Sequence, residues 1–137
     1  MTVKVITDST SDIPAELARK LDIEVVPVYV RFGETVYLDG IDIGTDDFYR
    51  KLAMLPDHPA TSQPSPEDFA AVYHEHAKAS DGIVTITISS KISGTYNSAV
   101  LAKSIIEDSV PVEVIDSKFN SAGLGLVVIA AARLART

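Results

Sequence analysis

Cysteine and tryptophan are both absent from this sequence. Without cysteine there can be no disulfide, no thiolate metal site and no thiol nucleophile, a composition that suits a reducing compartment. Basic residues are scarce: 12 Lys and Arg stand against 19 Asp and Glu, for a formal charge of −7. Such a surface repels phosphate backbones and anionic headgroups at long range, which argues against DNA, RNA and membrane-surface partners. A small anionic ligand remains feasible, because a few local donors hold one carboxylate against a weak, screened field. Long apolar runs are missing too. The longest, Gly123 to Ala132, falls well short of the ~20 residues of a membrane span, so no stable membrane insertion is expected. The opening Met1-Thr2-Val3-Lys4-Val5-Ile6 passes straight into a strand-like pattern without the layout of a signal peptide. A cytoplasmic protein is expected.

What is present is ordinary globular material: 137 residues, 46% hydrophobic and 23% charged, which fits one domain with a packed core. Apolar runs alternate with helical patterns. Thr2 to Thr7 reads as a short strand, followed by the polar turn Asp8 to Asp12 and a helix from Pro14 to about Leu21. Glu24 to Phe32 reads as one β-branched strand, Gly33-Glu34 as a turn, Thr35 to Leu38 as a returning hairpin strand, and Asp39-Gly40 as a bend. Thr45 is placed to cap a helix from Asp46 to about Leu55, and Pro56 to Pro64 reads as loop. Ser65 caps the next helix with Pro66 in its first position. Gly82 to Ser89 reads as a central strand, Thr95 to about Glu107 as a helix, Val112 to Ile115 as a buried strand and Ala122 onward as a last helix.

Val- and Ile-rich strands separated by helices predict an α/β fold, a mainly parallel sheet with helices on both faces. Right-handed crossovers bring the carboxyl ends of such strands to one edge, where ligands of open sheets bind. The last helix is apolar almost all the way round, and a helix of that kind expects protein on every side. A second domain absent from this chain, or self-association through the last helix, is therefore expected.

Three hydroxyl-rich turns stand out: Thr7-Asp8-Ser9-Thr10-Ser11-Asp12, Thr61-Ser62-Gln63-Pro64-Ser65 and Ser89-Ser90-Lys91-Ile92-Ser93-Gly94-Thr95-Tyr96. Each joins side-chain hydroxyls to backbone N–H groups at a helix start, a way to bind an anion without a formal positive charge. Gly94 would let the backbone approach a ligand closely or adopt a positive φ. Ser, Thr and Asp are also the ordinary capping and turn residues, so any one turn has a purely structural reading. Composition and spacing stop at a site for an anion or polar headgroup.

Catalytic motifs fit poorly. Asp8 follows an apolar strand as the nucleophile of an Asp-x-Asp-x-Thr phosphatase loop does, but residue 10 is threonine. Gly123-Leu124-Gly125 is followed by Val128 where a dinucleotide loop has its third glycine. Neither a phosphate-binding Gly-x-x-x-x-Gly-Lys-[Ser/Thr] loop nor a Gly-x-Ser-x-Gly elbow occurs. His74 and His76 stand at i, i+2 on different helix faces, and His58 lies in a proline-bounded loop. This is a poor metal set, and neither a metal nor a cofactor is expected.

Taken in order, the motifs resemble those of the DegV family. They are Ile6-Thr7-Asp8-Ser9-Thr10-Ser11-Asp12-Ile13-Pro14, Tyr37-Leu38-Asp39-Gly40, Thr61-Ser62-Gln63-Pro64-Ser65, Ile88 to Tyr96 and Val114-Ile115-Asp116-Ser117. The resemblance covers nearly the whole chain. It implies that residues 1–137 are a DegV-like amino-terminal α/β domain, truncated before a second domain of comparable size. It also implies a carrier of a long-chain fatty acid rather than an enzyme. Family members present that acid to a fatty acid kinase subunit, which phosphorylates the carboxylate with ATP. By similarity, Thr61 and Ser93 would hydrogen-bond the carboxylate, with Ser62, Gly94 and Thr95 lining the headgroup end; Asp8, Ser9 and Thr10 are weaker candidates. Two other readings stay open: a small phosphotransfer or phosphatase-type enzyme using Asp8, and an interaction module that binds no lipid.

Overall fold

The computed structural model describes residues 1–106 and 110–137. Strand β1 (Val3–Asp8) is followed by a single 3-10 turn (Ser9–Ser11), helix α1 (Ala15–Leu21) and strand β2 (Ile23–Val26). Strands β3 (Tyr29–Phe32) and β4 (Thr35–Leu38) form a hairpin, and α2 (Thr45–Met54) and the short β5 (Ala60–Ser62) come next. Then α3 (Pro66–Ala77), β6 (Gly82–Thr87), α4 (Thr95–Ile105), β7 (Val112–Asp116) and α5 (Ser121–Leu134) complete the chain. The end expected for α4, at Glu107, lies outside the described residues.

The main sheet is parallel, in the order β2-β1-β6-β7. Successive side chains of a strand point to opposite faces, and β1 shows the consequence. Ile6 packs with Phe69, Tyr73, Ala99 and Ala102 of α3 and α4. Its neighbour Val5 packs with Ala18, Leu21, Leu124 and Val128 of α1 and α5 on the other side. Both faces of β1 are therefore apolar, as a sheet covered by helices requires. The carboxyl ends of β1, β6 and β7 share one edge, since Thr7 pairs with Ile86 and Thr87 with Asp116.

Some sequence expectations are corrected. The apolar run from Glu24 to Phe32 is not one strand: it breaks at Pro27 into β2 and β3, which belong to different sheets. Proline has no N–H for the ladder, so the chain leaves the main sheet there. The stretch from Pro56 to Pro64 is not all loop, because Ala60 to Ser62 pairs antiparallel with β3. The resulting sheet, β4-β3-β5, has its own core of Val30, Phe32 and Ile43, with Phe48 of α2 packed on it. Strand β7 is an edge rather than a buried strand, with Ile115 46% exposed. Helix α2 is capped at Gly44, not Thr45, and Pro14 stands just before α1 as its cap residue.

Ser65 does cap α3. Its hydroxyl accepts from Asp68 N–H, and Asp68 returns by accepting from Ser65 N–H, a reciprocal pair behind Pro66. Helix α5 buries Leu124, Val128 and Ala132 against the sheet and leaves Leu126 and Leu134 69% and 73% exposed. Among the described residues no helix is long and apolar enough to cross a membrane.

Candidate functional site

The turn after β1 is built around Asp8, which is fully buried. One of its oxygens accepts from Ile88 N–H at 2.8 Å, across the ends of β1 and β6. The other accepts from Thr10 N–H at 3.0 Å and from the Thr10 hydroxyl. Burial pushes the Asp8 carboxyl above its ordinary value, and the hydrogen bonds from Thr10 and Ile88 oppose that shift. A carboxylate so enclosed, with its acceptors engaged by the fold, has no open approach for a phosphoryl group. Ser9 is engaged as well: its hydroxyl accepts from Val28 N–H at 3.0 Å and so ties the turn to the segment entering β3. Thr10 faces a cavity, but its one hydroxyl proton is committed to Asp8. Toward a ligand it can only accept. Of the three weaker candidates, Asp8 and Thr10 are bonded to each other within the turn, while Ser9, whose hydroxyl accepts from Val28 N–H, lines the second cavity.

The cavity that Thr10 faces, of about 360 Å³, lies between the carboxyl edge of the parallel sheet and the small sheet. Its apolar wall is Val28, Val30, Phe48 and Ile88, and its polar rim includes Thr61, Asn120 and Ser121. A second cavity, of about 670 Å³, adjoins it, and Asp12, Asp39, Thr45 and Tyr49 line both. Apolar contributors there include Ile13, Val25, Pro27 and Ile43. Volumes of this size are those of ligand pockets, and the lining here mixes apolar side chains with hydroxyls and the carboxylates of Asp12 and Asp39. Thr61 reaches the first cavity because β5 pairs it with Val30. Ser62, its neighbour, is exposed opposite Tyr29. Tyr29 in turn donates to Asp68 at 2.9 Å, and this bond raises its hydroxyl pKa.

The third turn, from Ser89 to Thr95, is held from outside. Asp116 at the end of β7 accepts from Ser90 N–H at 3.1 Å and the Ser90 hydroxyl at 2.5 Å, and Lys118 Nζ lies 3.0 Å away. The Ser90 hydroxyl and the Lys118 ammonium hold the Asp116 carboxyl well below the usual carboxylate range. Further along, Ser93 Oγ lies 2.9 Å from Thr95 Oγ1 and accepts from Thr95 N–H at 3.2 Å. Gly94 has φ −76°, so the positive φ considered for it does not occur. The close approach does, to protein: a Cβ built at Gly94 would stand 2.5 Å from Gln63 Nε2. Gln63 is two residues from Thr61, about 7 Å of extended chain, so the turns that carry Thr61 and Ser93 meet at this contact.

The three turns differ in what their helix starts leave free. The 3-10 turn is capped by Asp8, and α3 by its own Ser65–Asp68 pair. Neither Gly94 before α4 nor Asn120 before α5 makes a side-chain cap. Their first N–H groups carry the positive end of each helix dipole. Asn120 and Ser121 line the first cavity, and sequence reasoning missed them because no hydroxyl-rich run marks them. Val28, Val30 and Phe48 fall within the runs predicted as strand and helix, where nothing in the sequence marks a cavity wall. Among the described residues no group of three or more His, Cys, Asp and Glu side chains could hold a metal ion.

Comparison with known proteins gives a consistent picture. A family model described as "Uncharacterised protein, DegV family" matches residues 2–137. A DegV domain-containing protein of Clostridium perfringens is 42% identical over 132 residues, covering 96% of this chain and 47% of the relative. Among solved structures, DegV of Bacillus subtilis, described as a fatty acid binding protein, superposes with a TM-score of 0.95 at 34% identity, over 99% of this chain and 48% of its own. The fatty acid kinase B3 protein of Streptococcus pneumoniae, loaded with linoleic acid, superposes with a TM-score of 0.80 at 26% identity, over 98% and 48%. The chain thus spans about half the length of the relatives it matches.

Proposed function

This chain belongs to the DegV family, and on that premise we propose that it binds a long-chain fatty acid, holding the carboxylate at Thr61 and Ser93 and the tail in the apolar cavity behind Thr61. Ser62 and Gly94 complete the headgroup end. The observation that carries this reading is the cavity of about 360 Å³ with Val28, Val30, Phe48 and Ile88 on its wall and Thr61 on its rim. Relatives described as fatty acid binding share the fold.

The energetics are adequate. Each buried CH₂ contributes roughly 0.8 kcal/mol, so a long chain supplies most of the gross affinity and the head needs chiefly orientation. Neutral hydroxyls and N–H groups hold a carboxylate without the charge of an Arg partner, which would blunt its reactivity toward a phosphoryl donor. That property suits presentation of the acid to a fatty acid kinase subunit. The bacterial relative described as a fatty acid kinase B3 protein supports the same partner. The chain itself then acts as a carrier, with the chemistry performed by the kinase. The exposed Leu126 and Leu134 of α5 fit contact with a further domain, or with a second copy.

Native mass spectrometry of protein purified from cells tests the proposal. Release on denaturation of a mass matching a saturated or monounsaturated acid of fourteen to eighteen carbons is expected. Protein that carries no lipid and takes up none from added oleate contradicts it.

A further inference from the structure

The hydroxyls of Ser93 and Thr95 face each other at 2.9 Å, and either could donate. Their surroundings decide which does. Thr95 is fully buried, so its proton has no water to reach. Among the described residues its hydrogen-bonding neighbour is Ser93 Oγ. Ser93 is only partly buried, and its oxygen already accepts from Thr95 N–H. Were Ser93 to donate to Thr95, the Thr95 proton would be left buried and unpaired, a costly arrangement. With Thr95 donating, both Ser93 lone pairs are filled and its own proton is free to point outward.

We propose that Thr95 is a positioning residue: its buried hydroxyl donates to Ser93 Oγ, turns the Ser93 proton outward, and so tunes the site for a headgroup that only accepts. This inference rests on the fatty-acid reading above and assigns Thr95 a part different from lining the headgroup. A carboxylate has acceptors only, whereas a primary alcohol both donates and accepts. Ser93 fixed as a donor therefore favours an acid. Ser93 free to rotate loses that preference, because an alcohol pairs with it in either sense.

The test compares myristate with 1-tetradecanol on the full-length protein, using displacement of a fluorescent fatty acid. Thr95→Val keeps the shape and removes the proton; it is expected to weaken myristate about fivefold or more and tetradecanol less than about twofold. Thr95→Ser restores the acid preference. On a Ser93→Ala background Thr95→Val has no further effect on myristate. Equal loss of both ligands in Thr95→Val, or full additivity with Ser93→Ala, overturns the proposal. Failure of the unsubstituted protein to bind either ligand removes the fatty-acid reading itself. Hydroxyl proton NMR of the unsubstituted protein gives a result independent of lipid and of variant folding. A slowly exchanging Thr95 hydroxyl with a cross-peak to the Ser93 methylene is expected. Its absence, or a slow Ser93 hydroxyl instead, overturns the assignment.

Discussion

The side-chain amide of Gln63 lies directly over Gly94, so close that a Cβ at residue 94 would stand 2.5 Å from Nε2 and 2.8 Å from Cδ. This contact joins two turns that are some thirty residues apart in the chain, and the proposed headgroup site, with Thr61 on one turn and Ser93 on the other, depends on it. Gly94→Ala must push the amide aside. The obstructing atoms are the end of a flexible side chain, so the stability cost is expected to stay below about 1 kcal/mol. Fatty acid affinity is expected to fall several-fold, as read by equilibrium titration. Gln63→Ala removes the same contact and is expected to lower affinity by a similar factor, with little further loss when combined with Gly94→Ala. If Gly94→Ala leaves affinity unchanged, the two turns do not need this contact.

Thr61→Ala tests the other side of the headgroup. Thr61 is exposed on the short strand β5, so its removal should leave thermal stability nearly unchanged. A hydrogen bond to a charged group contributes about 1.5–3 kcal/mol, so affinity for the acid is expected to fall roughly tenfold or more. Thr61→Ser keeps the donor and should bind within about threefold of the unsubstituted protein.

Asp8 is predicted to be structural. Asp8→Ala leaves Ile88 N–H, Thr10 N–H and the Thr10 hydroxyl without their acceptor. Buried unpaired groups cost about 1–3 kcal/mol each, and a loss of roughly 3 kcal/mol in urea denaturation is expected. Activity on a phosphoester that disappears in Asp8→Asn while the fold persists would favour the phosphotransfer reading instead.

Asp116 supplies a pH signature. Its carboxyl titrates below the ordinary 3.8 because Ser90 and Lys118 bind the ionised form. A depressed folded-state pKa contributes stability above the unfolded value and loses it as pH falls through the folded one. The difference in stability between the unsubstituted protein and Asp116→Asn should thus be full at neutral pH and shrink only below about pH 4. A carboxyl NMR titration that places the Asp116 midpoint at or above 3.8 would show that the clamp on the Ser90 loop is absent in solution.

Features governed by local rules were legible in the sequence. Ser65, Pro66 and Asp68 announce the start of α3, and the Val5–Ile6 alternation within an apolar run announces a strand covered on both faces. Pro27 is also a local signal, but its effect is topological: it decides which sheet the next residues join, and a run of β-branched residues on both sides hides the change. Strand β5 has three residues between prolines and draws its order from pairing with β3, so propensity alone cannot reveal it. The hydroxyl-rich turns were readable as a set. The division of labour among them was not, because it depends on non-local contacts: the hydrogen bonds of Asp8 with Ile88 and of Ser9 with Val28, and the packing of Gln63 over Gly94.

The most direct measurement is a crystal structure of the full-length protein with bound palmitate. The account predicts a carboxylate oxygen within hydrogen-bonding distance of both Thr61 Oγ1 and Ser93 Oγ, with the chain running past Val28, Val30 and Phe48. A carboxylate that touches neither hydroxyl, or a chain laid along the exposed face of α5, would contradict it.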